Sequence, residues 1–353
     1  MGENLVVKVG GVEHDGILKA SITYGAENAV RTATLEVTER KGARRFWPKV
    51  EVEITSNGTL ILKGQVKKIS TRIKKGDGAT TVSVESKAAK AVKTAAQAPD
   101  YALKKKTVAD AAKALFGKVN VPVKDEAGGK LFNWKWAPGE KAFAVIEKQA
   151  RSANLLLMGE PDGGVAIAKG IRGRHAGALM VPGEIIDGHA DLGSDNDFSE
   201  TVALGQKKDG DKKDALRPKA TAKNAAGDGT VQILLNETEF DAQDLTARAK
   251  ARRDRRKGAD ISCTLTVGKW RDEAGLLWSP AFELFVSAMD DLALEQDMAI
   301  KTVTLKWEKE GAGEQAELNL VDPPALNGKK GKTKSNAAWG GDTSQPDYNE
   351  EDA

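Results

Sequence analysis

The chain has 353 residues, 30% charged and 40% apolar, with 54 Lys and Arg set against 51 Asp and Glu for a net charge of +3. That length allows two or three domains, and so balanced a charge excludes a protein whose overall field selects one class of partner. No apolar run reaches the roughly 18–20 residues that cross a bilayer, so direct membrane insertion is not expected. Met1-Gly2-Glu3-Asn4 leads into Leu5–Val9 without the basic and apolar stretches of a secretory leader, and Val6 argues against myristoylation. The single cysteine, Cys263, rules out an internal disulfide framework and a cysteine zinc cage, so folding and assembly are expected in a reducing cytoplasm.

In chain order, the first ninety residues read as short strands. Segments 4–9, 16–23 and 31–37 are apolar and β-branched, and Val50, Val52 and Ile54 alternate with Glu51, Glu53 and Thr55. Asn57-Gly58 supplies the positive torsions of a tight hairpin. Val66–Ile73 and Thr81–Val84 continue the series, with a turn at Lys74–Gly78. Closely spaced strands of this kind suggest a small antiparallel barrel or sandwich.

The period then changes. Residues 86–97 are rich in Ala and Lys and read as helical. Val108, Ala111, Ala112, Leu115 and Phe116 fall on one helical face behind a Thr107/Asp110 capping pair. A second helix is expected over 139–152, then strands Leu155–Met158 and Val165–Ala168 around the turn Glu160–Gly164. This middle stretch is α+β. Strands return at Ser199–Leu204, Thr230–Leu235 and Ile261–Val267, interrupted by a basic helix over 241–257 that Gly258 is placed to end. Lys207–Lys213 reads as a solvated loop. A final hairpin sets Val303, Leu305 and Trp307 against Ala316, Leu318 and Leu320. After Pro323-Pro324 the composition from Asn327 to Ala353 is that of a disordered tail. Phe46-Trp47-Pro48-Lys49-Val50-Glu51-Val52 also resembles Trp278-Ser279-Pro280-Ala281-Phe282-Glu283-Leu284, each followed by a second strand.

Little in the sequence marks chemistry. His14, His175 and His189 lie far apart, outside any metal-binding spacing. Cys263 sits in an alternating strand, as a small buried hydrophobe would. Asp191, Asp195, Asp197 and Glu200 form the best metal candidate, but their spacing does not fit a calcium loop, and a solvated acidic loop is the expectation. No Walker loop, nucleophile elbow or dinucleotide fingerprint is present. The sharpest local feature is the cluster Arg248, Lys250, Arg252, Arg253, Arg255, Arg256 and Lys257, opposed only by Asp254. It suits an electrostatic contact with a polyanion or acidic partner, or a packing role in which basic side chains complement a helix C-terminus and cover apolar surface. No aromatic interleaves with the arginines, as a single-strand binding platform requires.

Four stretches carry a family resemblance: Gly64-Gln65-Val66 through Ser86-Lys87-Ala88-Ala89-Lys90, Lys106–Ala112 leading to Phe132, Ala142–Met158, and the basic helix with Ile261–Val267, Lys269-Trp270-Arg271 and Gly275-Leu276-Leu277-Trp278-Ser279-Pro280. In this order they resemble the Mu-like baseplate hub proteins of contractile phage tails, over residues 3–325. The resemblance implies a β-rich α+β fold with two similar antiparallel β-barrel domains, placed at 1–88 and 198–325, a middle region at 89–197 and a tail at 326–353. It further implies a non-enzymatic virion protein that forms a homotrimeric ring, with a spike protein, the tail tube and baseplate wedge proteins as neighbours. The resemblance also implies that DNA passes through the ring without sequence recognition, and no cofactor or metal is expected. Two other readings are a tail enzyme that cuts cell-wall polymer and a basic nucleic-acid-binding module.

Overall fold

The computed structural model describes residues 2–38, 45–74, 77–206, 217–225, 227–239 and 242–329. The chain opens with β1 (Leu5–Val9), β2 (Val12–Glu13), β3 (Ile17–Gly25), β4 (Asn28–Val37), β5 (Glu51–Ser56), β6 (Thr59–Lys74) and β7 (Asp77–Ser86). The middle holds α1 (Ala89–Lys93), β8 (Ala102–Lys106), α2 (Val108–Phe116), β9 (Val123–Asp125), β10 (Phe132–Lys135), α3 (Ala142–Ser152), β11 (Leu156–Gly159) and β12 (Val165–Ala168). Next come β13 (Gly173–Met180), β14 (Ile185–Leu192), β15 (Glu200–Gln206), β16 (Lys219–Lys223) and β17 (Val231–Glu239). The basic helix Ala242–Gly258 precedes β18 (Ile261–Val267), β19 (Phe282–Ala288), a one-turn helix Met289–Leu292, β20 (Leu294–Glu308) and β21 (Glu314–Val321). The protein is thus mainly β, with its described helices of more than one turn confined to the middle and to one insertion.

Thirteen of these strands share one sheet. Alternation explains it: Ala33, Leu35 and Val37 of β4 and Cys263, Leu265 and Val267 of β18 point inward, with polar residues between them. By pairing, the N-terminal half runs β1-β5-β6-β7-β4-β3 and the C-terminal half β13-β19-β20-β21-β18-β14. The order is the same, and so is the detail. β6 pairs Val66 with Val84, bulges at Lys67 and resumes at Lys68 with Ser83; β20 pairs Ile300 with Leu320, bulges at Lys301 and resumes at Thr302 with Asn319. β3 bulges at Leu18 against β4 and β14 at Ile186 against β18. The residue after each proline, Lys49 and Ala281, has positive φ (74° and 59°). Their amides donate to the carbonyls of Val66 and Ile300, both at 2.8 Å. One difference stands out: β1 is antiparallel to β5, while β13 is parallel to β19. None of the described pairings closes either half into a ring of strands.

β20 joins the halves. One edge holds β21; the other holds β19 along Leu294–Ala299 and then β3 along Thr302–Glu308. At this joint Val303 and Leu305 lie against Tyr24 and Ile22, all at most 3% exposed. Thr23 Oγ1 and Thr304 Oγ1 share a hydrogen bond of 3.1 Å, and Lys19 pairs with Glu308. The apolar cores of both halves are therefore one cluster, from Val7 to Leu320.

The middle region has its own core around Leu115, Phe116, Trp134, Trp136 and Ile146. As expected, the Thr107 side chain caps α2 by accepting from the Asp110 amide at 3.1 Å. Arg31 of β4 fastens this region. It is 7% exposed, donates to the carbonyls of Gly159 and Ile61 at 2.8 Å each, and lies 4.4 Å from the Tyr24 ring. Gly159 is required there, since a Cβ would sit 2.5 Å from the Ala29 carbonyl oxygen. Arg172 adds ion pairs to Glu126 (2.6 Å) and Glu160 (3.0 Å).

Several sequence expectations change. Residues 173–192, expected in the middle region, pair as β13 and β14 with the C-terminal strands. Asp191 lies in β14 rather than in a loop. Gly188 and the run of acidic residues break the alternation that marks a strand. The helix expected over 86–97 is only Ala89–Lys93, because Thr94 turns extended. Gly258 is the last helical residue and not the one beyond the end; a Cβ there would meet the Ala325 amide at 2.5 Å. Of the expected tail, Leu326 is buried and Asn327 Nδ2 donates to the Asn154 carbonyl at 2.8 Å, while residues 330–353, like the loop 207–213, lie outside the described residues. No described helix is long and apolar enough to cross a membrane.

Burial lowers the Arg31 pKa, yet its bonds to the Gly159 and Ile61 carbonyls tie β4 to the middle region and to β6. Arg31→Met leaves those carbonyls unsatisfied and is expected to cost about 2–4 kcal/mol in urea unfolding. A loss below about 0.5 kcal/mol refutes that role.

Candidate functional site

The basic helix is held by little apolar surface. Leu245 and Ala249, both 0% exposed, pack on Ala203, Ala220 and Ala222 of β15 and β16. Its polar fasteners do the rest. Arg248 donates to Ser152 Oγ of α3 at 2.9 Å. Arg253 donates to the Lys223 carbonyl at 2.7 Å and pairs with Asp254. Arg255 binds Glu27 in the β3–β4 turn and the Ala325 carbonyl. Arg256 reaches Asn196 and Lys257 reaches Asp197. One helix thus ties its own small sheet to the middle region, the N-terminal half, the loop after β14 and the closing turn. Lys250 is exposed.

Arg248, Arg252, Arg255 and Arg256 also line one wall of a cleft of about 510 Å³. Lys148 and Arg151 of α3 and Lys301 of β20 complete it, with Glu27 as the acidic residue of the lining. Arg252 Nε is buried without a hydrogen-bond partner. Burial, then the neighbouring Arg256 and Arg255, lower the Arg252 pKa, so a bound anion would relieve both the desolvation and the repulsion. The structure brings Arg248, Arg252, Arg255 and Arg256 together at this cleft, while Arg253 and Lys257 point to other partners. Lys148, Arg151 and Lys301 carry no sequence signal of their own; only the fold gathers them.

The acidic candidates do not converge. Asp197 binds Asn224 and Lys257, Asp191 pairs with exposed His189, and Glu200 faces Lys223. Among the described residues, no group of three or more His, Cys, Asp or Glu side chains is placed to hold a metal ion. Cys263 is 2% exposed, and burial pushes its thiol up to about 11, away from the nucleophilic thiolate.

His175 and Asp272 form a buried pair, Nδ1 to Oδ2 at 2.8 Å, beneath Trp278 and Phe282. His175 Nε2 accepts from the Ser279 amide at 3.0 Å. That bond assigns the proton to Nδ1, where it is donated to Asp272. The Ser279 hydroxyl donates to the Leu277 carbonyl at 2.8 Å instead of meeting the imidazole. An Asp-His-Ser set is therefore assembled in the wrong geometry for a nucleophile: both ring nitrogens are spent fixing the Trp278-Ser279-Pro280 turn.

Residues 88–169 match the family described as the second domain of gp44-like baseplate hub proteins. No curated protein sequence matches the chain. Among solved structures, the tail protein of prophage MuSo2 from Shewanella oneidensis is similar at 20% identity and a TM-score of 0.78, over 92% of this chain and 100% of that one. A tail protein from Neisseria meningitidis is similar at 21% identity and 0.77, over 92% and 99%. A type VI secretion component of Escherichia coli, described as resembling the phage T4 tail proteins gp27 and gp5, aligns at 11% identity and 0.56, over 92% and 78%. At these identities the structures establish a common fold. The sequence match to a baseplate-hub domain thus covers residues 88–169, and the fold shared with the two tail proteins extends over 92% of the chain.

Burial holds the His175 pKa below the usual imidazole value despite Asp272, so the unfolded chain takes up a proton before the folded one does. The pair's contribution is complete above about pH 6.5 and declines as the pH falls below it. Wild-type urea midpoints are expected to fall between about pH 7 and 5.5, with a flatter profile in His175→Gln. Equal slopes would exclude His175 as the source.

Proposed function

We propose that this chain, similar to the Mu-like baseplate hubs, is a structural hub subunit of a contractile phage or tailocin baseplate. The observation that carries this reading is one strand order occurring twice in a chain whose middle region matches a baseplate-hub domain. In this reading the first β unit is residues 1–88, the middle region 89–169, and the second β unit runs from Gly173 to about 325, with β15–β17 and the basic helix inserted. The two units are barrel-like, and a homotrimer presents six of them to a sixfold tail tube. The spike protein sits on the ring and wedge proteins surround it. DNA crosses it without being read, and the subunit assembles in the host cytoplasm before it joins the virion. The chain is non-enzymatic, its His175–Asp272 pair serving architecture. The cleft lined by Arg252 is an electrostatic contact for an acidic surface of a baseplate neighbour.

Mass photometry and negative-stain imaging test the reading: a trimer with a central hole is expected at micromolar concentration, and a monomer overturns it. Peptidoglycan turnover by the purified protein would favour the enzyme reading instead. Duplex binding that weakens steeply with salt, and is lost when Arg252, Arg253, Arg255 and Arg256 become Ala, would favour the nucleic-acid one.

A further inference from the structure

The joint between the halves has an unused counterpart. β20 pairs with β3 on the stretch beyond its bulge. β6 is the equivalent of β20, and beyond its own bulge at Lys67 the edge opposite β7 has no strand partner among the described residues. β14 is the equivalent of β3 and stands at the end of the sheet, its outer edge without a strand partner among the described residues. We infer that the β6 edge from Lys68 onward receives β14 of a second copy of this chain, antiparallel, in the register that β20 and β3 use within one chain.

The register follows from the shared bulges. Val303 faces Tyr24, Thr304 faces Thr23 and Lys306 faces Ser21. The equivalent pairs are Ile69 with Leu192, Ser70 with Asp191, and Arg72 with His189. The chemistry fits at each level. Val303 and Tyr24 are buried in the internal joint, whereas half-buried Ile69 and 51%-exposed Leu192 await a cover. The Thr23–Thr304 hydrogen bond becomes a serine hydroxyl facing a carboxylate. Lys68, Ser70 and Arg72 lie on the exposed face of β6, and Asp187, His189 and Asp191 on the exposed face of β14, so Arg72 is diagonal to both aspartates. By sequence, the Lys19 and Glu308 positions are held by Asp187 and Lys74: the signs are exchanged and the complementarity is kept. Residues 67–74 of β6 include four cations and no anion, while 185–192 of β14 include two aspartates and no Lys or Arg.

Such a contact is heterologous: each copy offers one β6 edge and one β14 edge. It repeats the relation between the halves of one chain, so it adds half-units to a ring at the spacing the chain itself sets. The inference rests on the trimer proposed above, and the test separates the two. Ile69→Cys combined with Leu192→Cys, treated with a short bis-maleimide, is expected to give covalent dimers and trimers in denaturing gels, and neither single variant is. Asp187→Lys with Asp191→Lys is expected to weaken assembly at least tenfold, and adding Lys68→Glu with Arg72→Glu to restore most of it. A trimeric wild type with no cross-link and no response to charge reversal overturns this joint and leaves the trimer standing, pointing to a spike or tube strand as the occupant. A monomeric wild type overturns both, and cross-linking within one chain overturns the joint.

Discussion

The pairing of β3 with β20 is the constraint on which the rest of the protein depends. Without it the two halves are separate sheets, each with an open edge and half a core. With it Ile22 and Tyr24 bury against Val303 and Leu305, and one apolar cluster runs through both halves. The middle region then has a fixed surface to dock on, through Arg31 and Gly159, and the basic helix has a fixed set of anchors in Glu27, Ser152 and Ala325. Burying an arginine is costly unless its donors are satisfied, and Arg31 is tolerated because the Ile61 carbonyl of β6 and the Gly159 carbonyl of β11 each accept from it at 2.8 Å.

The basic helix shows how a strong sequence signal divides once folded. Seven cations on one segment suggest a single electrostatic patch, yet Arg253, Arg255 and Lys257 spend their charge on Asp254, Glu27 and Asp197. What remains for a partner is the cleft around Arg252, and it owes as much to Lys148, Arg151 and Lys301 as to the helix. Helix propensity and charge are local properties, whereas a cleft is a property of the whole chain.

Where alternation was regular, the fold was legible from sequence: β4 to β7, β18, β20 and β21 fall where the apolar period places them, and the Thr107 cap starts α2. The similarity between Phe46–Val52 and Trp278–Leu284 marks equivalent strand entries, down to the positive φ at Lys49 and Ala281. β13 and β14 were not legible. Their edge carries Gly188, Asp187 and Asp191, and such residues suppress a strand signal while suiting a surface that meets another chain. The His175–Asp272 pair was equally hidden, since its members stand 97 residues apart.

The long reach of β20 also bears on how the chain is made. Thr304 meets Thr23 across 281 residues, so β3 emerges from the ribosome long before its partner exists. At a synthesis rate of about 5–20 residues per second, its edge waits some tens of seconds. During that time β3 offers the nascent chain and its neighbours an unpaired strand, which is a template for pairing with the wrong chain. Emergence of β20, more than collapse of the N-terminal half, therefore sets the moment at which a subunit becomes safe to concentrate.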